Sequence, residues 1–224
     1  MLEVLSIHFP KAGGSSVSQA LTTAYGDKAI RLDYSDDPAN PCSHYVMDPD
    51  GCRARAEKTG FAPEIKVVHG HYHVSKYDFV TGAKRITFLR HPVDTVISIY
   101  YFWKTCEGSS AHALFKYARE HNLGLMEIAR LPAIRYLLSR TYFGGVDMDT
   151  FCFIGFMDSY SGDVRRLSTL LSVPIVEQKE NTNQFQGYRD EVARIKSDTR
   201  LMSDLQDCLI EDIRFYEKVR AAAG

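Results

Sequence analysis

A change of period near the N-terminus constrains this chain most. Leu2 to His8 is a short, apolar, partly β-branched run; it breaks at Pro10 and Gly13-Gly14, and from Ser16 to Tyr25 the apolar residues recur at helical spacing. A buried strand of that length, punctuated by proline and glycine, reads as strand, loop, helix. The pattern returns at Arg85 to Leu89, which runs into His91-Pro92 and then the strongly apolar helical stretch Val93 to Lys104. Ile65 to Val68 and Thr150 to Phe156 read as further buried strands. Helical spacing covers Ala111 to Arg140, Asp158 to Leu171, Val192 to Ile195 and Leu201 to Val219. Strands interleaved with helices imply an α/β chain whose parallel sheet is flanked by helices, with ligands at the carboxyl ends of the strands. Residues 26–64 collect Asp, Pro, Asn and Gly and read as an irregular excursion with a short helix around Arg53 to Lys58. At 224 residues the chain suits one domain, 1–224.

Composition narrows the classes. Hydrophobic residues make up 45% and charged residues 25%, which is ordinary globular usage and leaves little room for extended disorder. A net charge of −1 supplies no overall field toward nucleic acid or an anionic membrane, so no nucleic-acid partner is expected and any polyanion must be gripped by a local cluster. The five cysteines, Cys42, Cys52, Cys106, Cys152 and Cys208, are scattered and form no CxxC pair, so they read as free thiols. No apolar run approaches the roughly 20 residues that span a bilayer, and Leu2 to Phe9 lacks a basic leader. No membrane span and a cytoplasmic location are therefore expected; oligomeric state is left open.

Three constellations carry chemistry. The first is HFPKAGGSS, His8 to Ser16, where strand gives way to helix. Glycines let backbone N–H groups crowd an anion, the helix start contributes about half a positive charge, Lys11 a full one, and Ser15 and Ser16 add hydroxyls. The bland alternative is a tight turn with a solvated lysine. The loop is not a Walker A sequence, because Lys11 precedes Gly13 and Gly14 instead of following the last glycine, and no Walker B aspartate is evident. The second is TFLRHPVDTVISIYYF, Thr87 to Phe102, in which Arg90 leaves a strand and Ser98 follows on the helix. Such an arginine can fork onto a phosphate that the serine also reaches. Equally, Arg90 can pair with Asp94 while Ser98 merely packs; the aromatic run Tyr100 to Trp103 reads as core. The third is VVHGHYHVSKYDF, Val67 to Phe79, where His69, His71 and His73 alternate. On an extended strand all three face one side, which also suits a metal, yet no HExxH helix accompanies them and no metal is expected. An imidazole titrating near 6.5 can accept a hydroxyl proton without extreme tuning. The polar loop Lys179 to Arg189 is by default solvated, or closes over a nucleotide with Lys179, Asn181 or Arg189. Asp36-Asp37 and Glu211-Asp212 read as exposed acidic patches or caps.

Taken together, the lysine-glycine loop and the Arg90/Ser98 pair resemble the 5′-phosphosulfate loop and 3′-phosphate motif of sulfotransferases that use 3′-phosphoadenosine 5′-phosphosulfate (PAPS). The His-Gly-His of residues 69–71, ahead of the arginine motif, is similar to that of the glycan 2-O-sulfotransferases, and Phe153 to Leu171 fits that family's later strand and helix. The resemblance implies a P-loop-like sulfotransferase fold that moves a sulfuryl group from PAPS to a hydroxyl of a carbohydrate or small-molecule acceptor, releasing PAP. It implies that Lys11 contacts the oxygen bridging phosphate and sulfate, and that the loop Lys11, Ala12, Gly13, Gly14, Ser15 and Ser16 holds the 5′-phosphate. Arg90 and Ser98 match the 3′-phosphate positions, His71 the catalytic base, and His69 an assisting residue. His91 and Thr95 stand where the family often carries Asp and Arg. Two alternatives remain at this point: a P-loop kinase using ATP, and a nucleotide-binding module without catalysis.

Overall fold

A computed structural model of the chain describes residues 1–106, 112–177 and 187–223. The first strand, β1 (Val4–Ile7), is buried along its whole length and gives way to α1 (Gly14–Tyr25). The chain then forms β2 (Ile30–Asp33), α2 (His44–Met47), α3 (Pro49–Thr59) and β3 (Val67–Gly70). Next come β4 (Lys84–Leu89) and α4 (Pro92–Thr105), which starts with proline at its first turn and Asp94 near its positive end. Short helices α5 (Ala113–Glu120), α6 (Leu125–Arg130) and α7 (Pro132–Arg135) follow, and then a π-helical turn, Leu137–Tyr142. The last strand is β5 (Phe153–Phe156), followed by α8 (Tyr160–Leu171), α9 (Tyr188–Ser197), α10 (Thr199–Cys208) and α11 (Ile210–Ala223).

The strands form one parallel sheet in the order β2-β3-β1-β4-β5. Continuous apolar runs suit a parallel sheet, because helices cover its faces. Thus α1 packs on β2 and β3, α8 packs on β5, and α11 packs on α4 and on the π-helical turn. The expected α/β architecture is the one observed. The excursion at 26–64 differs from its reading: Ile30–Asp33 pairs with β3 as the edge strand, and α3 is longer than the short helix expected there. Strand β2 is only four residues long and exposes Leu32, so no continuous apolar run marks it. Its neighbour β3 supplies the pairing. Expectations for Ala111, Lys179 and Asn181 fall outside the described residues.

The order matters for the site. The three constellations leave the carboxyl ends of β3, β1 and β4, which are adjacent in the middle of the sheet, where open α/β sheets bind ligands.

Candidate functional site

The loop after β1 is built around unusual backbone. His8 N–H donates to the Gly70 carbonyl at 2.8 Å, extending the β1–β3 ladder by one residue, and Ala12 N–H then turns back onto the Phe9 carbonyl at 3.2 Å. Between them Lys11 adopts a left-handed φ of 60°. That conformation is uncommon for a residue with a Cβ, and such strain tends to be held where a site needs it. Gly13, with φ 72°, caps α1 without offering a side chain to its first turn, so an outside acceptor is free to use those N–H groups. A Cβ at Gly14 would lie 1.7 Å from His8 Nε2. Only glycine lets that imidazole lie against the helix start. Ser15 is exposed there and Ser16 buried.

Arg90 arrives from the next strand. Its Nη1 donates to the Lys11 carbonyl at 3.2 Å, which ties two loops 79 residues apart. Asp94 instead pairs with Lys196 at 2.8 Å, so the alternative Arg90–Asp94 pairing is not formed. Among the described residues neither Lys11 nor Arg90 meets a carboxylate at ion-pair distance. Burial, and then the Arg90 charge, lower the Lys11 pKa to about 8. The Lys11 ammonium lies 4.1 Å from the centroid of Phe102. Phe102 is 45% exposed while Tyr101 and Trp103 are buried, so the aromatic run divides: two rings enter the core and one lies beneath the lysine. Ser98 is buried on α4, and no hydrogen bond links it to Arg90 or Lys11 among the described residues.

The histidines lie on the other side of β1. His69 faces Ser6 across the β1–β3 register, with Nδ1 2.9 Å from the serine Oγ. His71 is the first residue beyond β3 and stacks on His8 at 4.2 Å; His8 and His69 stack at 5.3 Å. Tyr34 stands edge-on to His71 at 5.0 Å, its hydroxyl 3.2 Å from His8 Nδ1. On its far side, His71 Nδ1 lies 3.0 Å from the Tyr142 hydroxyl, which donates to Asp37 Oδ1 at 2.7 Å. Burial is the main reason all three imidazoles are hard to protonate. It pushes His69 down to about 3, helped by the charge on His71. His8 falls well below its ordinary value, and His71 falls too, against the opposing pull of the Asp37 carboxylate. The three rings are therefore neutral bases near pH 7.

The expectation that His69, His71 and His73 share one face is corrected, because β3 ends at Gly70 and the alternation ends with it. His73 instead begins a 3-10 turn, stacks on Tyr45 at 5.0 Å and contacts Ser75 and the Gly144 carbonyl. Its place in the cluster is taken by His8, and a histidine ending one strand beside a histidine ending another was the available signal. Asp36 and Asp212 are also not exposed. Asp36 shares Lys76 with Asp33, each at 2.5 Å and buried, and Asp212 accepts from the Leu138 and Ser139 N–H groups. Tyr34 and Tyr142 carried no sequence signal, since each comes from a segment without a motif, and Asp37, expected in an exposed acidic patch, is instead half-buried and accepts from Tyr142. Among the described residues no group of three or more His, Cys, Asp or Glu is placed to hold a metal ion, and no helix is long and apolar enough to cross a membrane.

No family model matches the chain, and no curated protein matches it by sequence. Among solved structures it is similar to a mouse sulfotransferase, SULT7A1, crystallised in complex with PAP, with 12% identity over 88% of this chain and a TM-score of 0.42. This chain spans 63% of the length of that protein. It is also similar to a sulfotransferase from Alicyclobacillus acidocaldarius, with 15% identity, 96% of each chain covered and a TM-score of 0.44.

Proposed function

We propose that this chain is a PAPS-dependent sulfotransferase acting on a hydroxyl of a carbohydrate or small-molecule acceptor, within a single domain spanning residues 1–224. The observation that carries this reading is the pair of cations Lys11 and Arg90, held together at the ends of adjacent strands with no carboxylate at ion-pair distance among the described residues. Like charges brought together at a helix start call for an anion that bridges them. A donor with phosphate at both ends meets that requirement. In this reading Lys11, Ala12, Gly13, Gly14, Ser15 and Ser16 hold the 5′-phosphosulfate, and Arg90 with Ser98 holds the 3′-phosphate. His71 accepts the acceptor's proton as its oxygen attacks sulfur, and His69 supports it from within β3. The bond from sulfur to the bridging oxygen breaks, and PAP leaves with the electron pair, its charge met by Lys11 and the helix start. All five cysteines are free thiols, which fits a reducing, cytoplasmic setting.

The test is thermal stabilisation followed by transfer. PAP without added metal is expected to raise the melting temperature, because a ligand bound only by the folded state stabilises it by mass action. Stronger stabilisation by magnesium ATP would favour a kinase. Radiolabelled PAPS incubated with a panel of glycans, alcohols and phenols is expected to label at least one; binding of PAP with no transfer to any hydroxyl would leave a nucleotide-binding module.

A further inference from the structure

We infer that Asp37 and Tyr142 form a relay that fixes the tautomer of His71, keeping its proton on Nδ1 and its lone pair on Nε2. The inference rests on the reading of His71 as the base that accepts the acceptor proton. The Tyr142 hydroxyl has a single hydrogen, and its oxygen lies 2.7 Å from a carboxylate oxygen of Asp37 and 3.0 Å from His71 Nδ1. A carboxylate only accepts, so a contact of 2.7 Å needs the phenol proton between the two oxygens. That leaves a phenol lone pair toward His71. If Nδ1 also carried a lone pair, two acceptors would face each other at 3.0 Å. With the proton on Nδ1 the contact becomes a hydrogen bond, and Nε2 is left as the basic nitrogen.

The relay is built into the fold from three distant segments. Asp37 follows β2 on a stretch anchored by buried ion pairs of Lys76 with Asp33 and Asp36, and Tyr77 donates to the same Asp33 carboxylate at 2.6 Å. Tyr142 is fully buried at the end of the π-helical turn, with its ring edge-on to Phe9. The start of that turn is held by Asp212 from α11, through Leu138 N–H at 2.7 Å and Ser139 N–H at 2.8 Å. These contacts leave the phenol little freedom to turn away. Burial also keeps His71 uncharged, so its tautomer decides whether it can act as a base. Tyr142 and Asp37 are thus positioning residues. Neither needs to touch the acceptor.

The tautomer can be read without donor or acceptor, from long-range proton–nitrogen spectra of protein labelled with 15N-histidine. Wild-type His71 is expected to show a protonated Nδ1 and an unprotonated Nε2 at neutral pH. Asp37→Ala frees the phenol proton to donate to Nδ1, and is expected to reverse the tautomer. Asp37→Asn keeps an acceptor oxygen and should preserve it. Tyr142→Phe should give a mixture, with single-turnover transfer down roughly 10- to 100-fold and PAP affinity within about twofold of wild type, a smaller loss than removal of the base itself. The His71 ring also bonds the His8 backbone, so a wild-type His71 that places its single proton on Nε2, or Asp37→Ala without reversal, overturns the relay. Should Tyr142→Phe not fold, the Asp37→Ala and Asp37→Asn spectra decide the matter. A wild type with Nδ1–H that transfers no sulfuryl group supports the relay and sinks the sulfotransfer reading.

Discussion

The carboxyl edge of the sheet has two unlike halves. Between β1 and β4, Lys11 and Arg90 keep their charges close together, and no carboxylate among the described residues answers them. Between β1 and β3, His8, His69 and His71 stack face to face with their charges suppressed by burial, and His71 is wired through Tyr142 to Asp37. The comparison teaches how one edge can divide two tasks. A site for an anion gains from concentrated positive charge, whereas a proton acceptor gains from a neutral ring with a defined lone pair. Lys11 and His8 lie on the same short loop, close enough that the lysine charge helps to keep His8 unprotonated.

Removing His71 is expected to break the comparison most sharply. His71→Ala should lower single-turnover transfer by about 10² to 10⁴ fold while leaving PAP affinity within about twofold, since a general base acts on the acceptor proton. Loss of PAP binding together with transfer would mean that the two halves are not separate.

Arg90 probes the other half. Arg90→Ala should weaken PAP binding by about 1.5 to 3 kcal/mol, roughly 10- to 150-fold, the usual value of a hydrogen bond to a charged group. A nucleotide lacking the 3′-phosphate should bind wild type and variant alike, as calorimetry would show. If the variant still prefers the 3′-phosphate as wild type does, Arg90 is not its anchor.

The pH profile separates the halves by sign. Burial lowers His71, so the neutral base persists below the ordinary imidazole value and activity should decline only at pH below about 6.5. Lys11, lowered to about 8, should lose its charge above that pH in the free protein, so kcat/KM for the donor should fall there by about tenfold per unit. Lys11→Arg should move that alkaline limb upward; an unmoved limb would assign it to another group.

The smallest effect is on stability. His8, His69 and His71 have lowered pKa values in the folded chain, so the unfolded chain binds more protons below about pH 6.5. Stability is therefore fully present above that pH and lost on acidification, by at most about 1.4 kcal/mol per pH unit for each histidine. Urea melts at successive pH values should show this, and His8→Gln should reduce the slope by one proton. An unchanged slope would mean that His8 is already protonated in the folded state.

Much of this arrangement was legible in the chain itself. Period and punctuation located β1, α1, β4, α4 and β5, because buried strands and apolar helix faces leave local patterns. The loop from Lys11 to Ser16 stood out for the same reason: glycine and lysine at a strand end are a local chemical statement. The sequence left β2 unread, because a short edge strand owes its structure to the neighbour it pairs with. It also left the roles of His8, Tyr34, Asp37 and Tyr142 open. Tyr142 lies 105 residues from Asp37 and 71 from His71, and nothing in the vicinity of any of them records that separation. Parallel strand order, the π-helical turn and the buried Lys76 ion pairs bring them together. Residue type and local spacing determined which groups were available for chemistry; the tertiary structure decided which of them meet, because burial and hydrogen-bond partners are properties of the packed chain.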